Sequence, residues 1–107
     1  MRDERLMPIL AELRARLERV YGQRLLKLVL YGSQARGDAE EASDIDVLVV
    51  LDGPVEAGLE IARTEFDVAD VSLAHGVAVT CFFVSQEQFE HEQSPLLLNV
   101  RREGVTV

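Results

Sequence analysis

The chain has 107 residues, of which 48% are hydrophobic and 28% charged, with seven Gly, three Pro and one Cys. That length and balance fit one soluble globular domain spanning residues 1–107 and exclude a disordered chain. No apolar run is long enough to span a bilayer, and the start, MRDERLMPIL, is too charged for a secretory leader, so a cytoplasmic protein that does not contact membranes is expected. The net charge of -8 is uneven: residues 1–36 carry eight Arg/Lys against four Asp/Glu, and residues 37–107 carry three against fifteen. An acidic chain gains nothing from phosphate counterion release, which argues against general nucleic-acid binding.

In chain order, Leu6, Ile9, Leu10, Leu13, Leu17 and Val20 recur at helical steps and predict a first helix ending near Tyr21-Gly22. LLKLVLY, residues 25–31, predicts a short buried strand bounded by Gly32-Ser33. A polar connection follows, with turns expected at Gly37-Asp38 and Ala42-Ser43, and then IDVLVVL, residues 45–51, predicts the strongest strand. After Asp52-Gly53-Pro54, the spacing of Val55, Leu59, Ala62, Phe66, Ala69 and Leu73 predicts a helix to about His75, stopped by Gly76. Residues 77–84 predict a third strand. Ser85-Gln86-Glu87-Gln88 has the form of a capping box opening a helix through about Gln93, and Ser94-Pro95 opens a last helix that Gly104 ends, before a tail of Val105-Thr106-Val107. This order predicts an α/β (α+β) fold, a small mixed β-sheet with helices packed on it.

Chemistry concentrates between the first two strands. Asp44 and Asp46 stand two apart on a strand, so their carboxylates share a face while Ile45 and Val47 point into the core. A carboxylate set among Ile45, Val47, Leu48 and Val49 needs a cation or hydrogen-bond donors, and Mg²⁺, held by one or two carboxylates and by substrate phosphates, fits that need. Gly32 lets a phosphate approach the backbone and Ser33 offers an N–H and a hydroxyl, with further N–H groups available if the segment after it is helical. Arg36, one turn on, is placed to reach the same phosphates, with a solvated surface arginine or a partner for Asp38 as the alternative.

The remaining polar and aromatic residues have plainer expectations. Cys81 reads as a small buried hydrophobe, and His75 and His91 do not form a zinc cluster with it. Tyr21, Tyr31, Phe66, Phe82, Phe83 and Phe89 are spaced as core or half-buried residues, with Tyr31 the one aromatic able to border a nucleotide. His75 and Arg101-Arg102 sit where cations favour helix C-termini.

The order strand, Gly32-Ser33, ten residues, Asp44-Ile45-Asp46, strand resembles the DNA-polymerase-β-like nucleotidyltransferase superfamily. The segment GSQARGDAEEASDIDVLVV looks, more narrowly, like the minimal nucleotidyltransferases, the MntA-like antitoxin partners of HEPN-domain toxins. The resemblance covers essentially the whole chain. It implies that Gly32 and Ser33 grip phosphate and that Asp44 and Asp46 are metal-binding and catalytic. It also implies two Mg²⁺ ions and the transfer of a nucleoside monophosphate, AMP from ATP or another NTP, to a hydroxyl on a partner such as a HEPN toxin. A homo-oligomer is an alternative way to complete the site. The superfamily takes a third carboxylate from a later strand, yet GVAVTCFFV has none; Thr80 is the polar residue near the expected position, and Asp67 and Asp70 fall in the preceding helix. The competing expectation is therefore a non-catalytic nucleotide- or metal-binding scaffold that neutralises its partner by covering it.

Overall fold

The computed structural model describes residues 4–37 and 44–107. The elements run α1 (Leu6–Tyr21), a 3-10 turn (Gly22–Arg24), β1 (Leu25–Tyr31), α2 (Ser33–Arg36), β2 (Ile45–Leu51), α3 (Ala57–His75), β3 (Val79–Ser85), α4 (Gln86–His91), α5 (Pro95–Glu103) and β4 (Val105–Thr106). They build one mixed sheet in the order β3-β2-β1-β4, with β1 antiparallel to β2 and β4, and β2 parallel to β3. The α/β expectation holds. The expected turns at Gly37-Asp38 and Ala42-Ser43 fall wholly or partly in residues 38–43, outside the described residues; Gly37 itself adopts a left-handed conformation and caps α2.

Each face of the sheet carries its own core because side chains alternate along a strand. Leu28, Leu30, Ile45, Val47, Val49, Leu51, Val79 and Phe83 face α1 and α3, meeting Leu6, Leu10, Leu13, Leu17, Tyr21 and Val71. Val29, Leu48, Val50 and Val84 face the other way, against Leu97 and Val100 of α5, with Phe89 and Tyr31 at the margin. β2 is buried on both faces, which is why it reads as an unbroken apolar run. The capping box that opens α4 is present: Ser85 Oγ accepts from Gln88 N and Gln88 Oε1 accepts from Ser85 N.

Five details differ from the sequence expectation. β3 starts at Val79 rather than residue 77, α4 ends at His91, and the tail forms the short strand β4, whose partners are Val29 and Leu30. On α1, Tyr21 is buried and Val20 is exposed. The largest difference is the orientation of α3. Its apolar stripe lies outside, with Phe66 80% and Leu73 82% exposed, while Glu60 and Thr64 are 2% and 1% exposed on the inner face. Those two polar residues tolerate burial because they are satisfied: Glu60 Oε1 accepts from the Tyr21 hydroxyl at 2.8 Å, and Thr64 Oγ1 donates to Glu60 O at 2.9 Å.

Candidate functional site

The site lies where β1 ends and β2 and β3 begin, on the face that α5 covers only in part. Because β1 and β2 are antiparallel and β2 and β3 parallel, Tyr31, Asp46 and Thr80 fall in one cross-strand row and share a face. Asp44 stands exposed just before β2, and the chain there is fixed by Ile45 N donating to Ala78 O at 2.9 Å. Ile45 and Val47 are buried on the opposite face, as the two-residue spacing predicts.

Gly32 follows β1 with φ 74° and ψ -154°, a region open essentially to glycine alone. A Cβ on Gly32 would lie 2.7 Å from Asp46 Oδ2. Two constraints therefore meet at one residue: the backbone conformation needs glycine, and so does the carboxylate across the strand. Beyond it the chain turns into α2, with Gly32 O accepting from Ala35 N and Arg36 N at 3.1 and 3.2 Å. Ser33 is the first residue of that turn, so the expected helical start after β1 is present.

The electrostatics of the two carboxylates favour a cation beside them. Burial raises the Asp46 carboxyl above the ordinary carboxylate range, and the negative charge of Asp44 raises it further. Burial likewise raises the Tyr31 phenol, with Asp46 as a lesser cause. A cation between Asp44 and Asp46 would relieve both the burial and the repulsion, and the donor set is all oxygen, which suits Mg²⁺. The residues present fit such an ion as a two-carboxylate site. Among the described residues, no group of three or more His, Cys, Asp or Glu side chains gathers to hold a metal.

The other candidates separate clearly. Thr80 stands directly opposite Asp46 and is exposed. Asp67 and Asp70 are on α3, beyond the opposite face of the sheet, and receive Arg16 of α1 at 3.1 and 3.2 Å. Neither can supply the third acid. Arg36 reaches Glu103 at 3.5 Å, a pairing between α2 and the end of α5 that the sequence did not indicate. Arg101 donates to Phe89 O and Glu92 O, tying α5 to α4. Cys81 packs toward the α1/α3 side, and its thiol is pushed up to about 12 by burial, consistent with an inert thiol. Phe82, expected in the core or half-buried, is instead 46% exposed, two positions beyond Thr80 on the same face. Alternation through Thr80, Phe82 and Val84 was the available signal, hidden by the continuous apolar run.

Comparison with known proteins agrees with the fold. Residues 10–97 match the family model described as "Nucleotidyltransferase domain". The "Putative protein adenylyltransferase MJ0604" of Methanocaldococcus jannaschii is 34% identical over 73 residues, covering 68% of this chain and 67% of that protein. Among solved structures, "Structure of putative minimal nucleotidyltransferase" superposes with a TM-score of 0.58 at 25% identity, covering 95% of each chain. A crystal structure of a putative nucleotidyltransferase from Sulfolobus solfataricus shares the fold, with a TM-score of 0.53 at 18% identity over 99% of this chain and 87% of that one. Among the described residues, no helix is long and apolar enough to cross a membrane.

Proposed function

The chain belongs to the nucleotidyltransferase domain family, and from that premise we propose that it moves a nucleoside monophosphate, AMP from ATP, onto a hydroxyl of a protein, with Mg²⁺ held by Asp44 and Asp46. The observation that carries this reading is the close approach of the Asp46 carboxylate to Gly32, which brings the two halves of the motif side by side. Gly32 and Ser33 line the phosphate side and Asp44 and Asp46 the metal side. Bound Mg²⁺ supplies charge neutralisation of the triphosphate and of the departing pyrophosphate.

The chain's own residues have definite tasks in this scheme. Ser33 donates its hydroxyl and N–H to phosphate oxygens, and Arg36 reaches the same oxygens by leaving Glu103, a partly exposed pair whose loss costs little. The acceptor oxygen bonds to the α-phosphorus, the bond to the α,β-bridging oxygen breaks, and pyrophosphate leaves with that electron pair. Of Tyr31, Asp46 and Thr80, only Asp46 can take the hydroxyl proton at neutral pH. A partner chain such as a HEPN-type toxin supplies the hydroxyl, giving an antitoxin role in the cytoplasm. Support for that partner comes from the motif resemblance, and support for a protein acceptor from the name of the archaeal relative.

One observation favours a second reading. Thr80 occupies the row position beside Asp46 where a further acid would be most useful, so a chain that binds Mg²⁺ and nucleotide without transfer, and neutralises its partner by covering it, is the alternative. Incubation with α-labelled ATP, Mg²⁺ and the product of the neighbouring gene distinguishes the two. Transfer predicts an AMP mass increment on the acceptor, lost in Asp44→Asn. Nucleotide binding without any increment supports the scaffold, and binding that is absent, or indifferent to Asp44→Asn, removes both.

A further inference from the structure

We infer that the outer face of α3 is a self-association surface that pairs antiparallel with α3 of a second copy. The helix is amphipathic in an inverted sense, with Glu60 and Thr64 buried and Phe66, Leu73 and Leu59 exposed at 80%, 82% and 45%. Large apolar side chains left exposed together along one face of a helix mark an interaction surface. Its spacing specifies what kind. Leu59, Ala62, Phe66, Ala69 and Leu73 alternate in steps of three and four, the a and d positions of a heptad, with every a position large and every d position alanine.

That size pattern selects the pairing. In an antiparallel pair a positions meet d positions, so Phe66 packs against Ala69 of the second copy and Leu73 against its Ala62, filling each layer with one large and one small side chain. A parallel pair would stack Phe66 on itself and leave alanine layers underfilled. Charge agrees. Arg63 and Asp70 occupy successive e positions, which antiparallel helices bring together across the two-fold axis as two equivalent Arg–Asp pairs; parallel helices would set Glu65 against the second copy's Asp70. Both side chains are available for this. Arg63 is 47% exposed with only a 3.8 Å contact to Glu60, and Asp70 is 62% exposed while Arg16 donates to one of its oxygens. At 19 residues the helix offers about 28 Å of contact length, which places the dimer at the small end of specific interfaces, under about 1,200 Å² in total, and makes it concentration-dependent.

A size exchange tests this with substitutions that leave the monomer core untouched. In sedimentation velocity over a concentration series, the native chain dimerises, while Phe66→Ala and Ala69→Phe each weaken the dimer about tenfold or more. An equimolar mixture of the two recovers it, because each copy then supplies the large side chain where the other has the small one. Arg63→Glu and Asp70→Arg behave in the same way by charge, weak alone and restored when mixed. A native chain that stays monomeric, a dimer indifferent to both substitutions at 66 and 69, or a mixture no tighter than its components overturns the inference.

Discussion

Substituting Gly32 by alanine probes the two constraints at the site together, and the structure allows them to be separated. The backbone at φ 74°, ψ -154° lies in a region whose occupation by a residue with a Cβ costs about 1–3 kcal/mol. The added methyl would also sit 2.7 Å from Asp46 Oδ2, so the carboxylate must swing away. With ~4–8 °C of melting temperature per kcal/mol for a chain of this size, the loss from the backbone alone is roughly 4–24 °C. Gly76→Ala is the control, since Gly76 also has a positive φ of 64° but nothing within 4 Å of an added Cβ. Calorimetric melting of Gly32→Ala, Asp46→Ala, their combination and Gly76→Ala separates the terms. The combination should lose less than the sum of its parts, because removing the Asp46 side chain relieves the collision. Strict additivity, with Gly32→Ala melting like Gly76→Ala, would refute the close approach on which the site rests.

Three further outcomes follow from the same geometry. Asp46 has a folded-state pKa above its unfolded value, so its contribution favours folding below about pH 4 and is lost as pH rises through the higher folded value; metal-free Asp46→Asn should therefore melt at or above the native chain at neutral pH, and a lower melting temperature there would contradict the reading. Thr80→Asp places a third carboxylate beside Asp46 in the row, and is expected to tighten Mg²⁺ binding in calorimetric titration; unchanged or weaker affinity would show that Thr80 does not face the ion. Tyr21→Phe removes the hydroxyl that donates to the buried Glu60 carboxylate, at a cost of about 1.5–3 kcal/mol in denaturant unfolding, whereas a loss below ~0.5 kcal/mol would mean that Arg24 and Arg63 already satisfy Glu60.

Much of this fold is legible in the sequence because periodicity reports which residues share a face. Ile45 and Val47 alternate with Asp46, and that alone sends the carboxylates to one side and the core to the other. Periodicity cannot report which way a face turns. The stripe Leu59, Ala62, Phe66, Ala69, Leu73 is regular enough to suggest a core contact, and yet α3 buries the side carrying Glu60 and Thr64, because hydrogen bonds from Tyr21 and within the helix remove the penalty that normally keeps such residues outside. Strand register is equally silent in the sequence: nothing in GVAVTCFFV states that Thr80, rather than Ala78, stands opposite Asp46. The strand β4 has two residues, too few for any alternation, and exists through its pairing with Val29 and Leu30. The Arg36–Glu103 pair joins segments far apart in the chain, a relation that only the packing of α5 creates.

The hydrogen bond from Tyr21 to Glu60 has a consequence for how α3 is oriented about its own axis. Hydrophobic attraction alone would roll a helix with Leu59, Phe66 and Leu73 along one side so as to bury them and expose Glu60 to water. The carboxylate works as a key in a keyway: it is satisfied at the one angle that places it under the Tyr21 hydroxyl and near Arg24. Replacing Glu60 and Thr64 with leucine and valine would ease their desolvation and at the same time remove the reason for α3 to hold that angle. The cost of the buried charge thus secures orientation rather than strength, and it is this orientation that keeps the apolar stripe pointing outward.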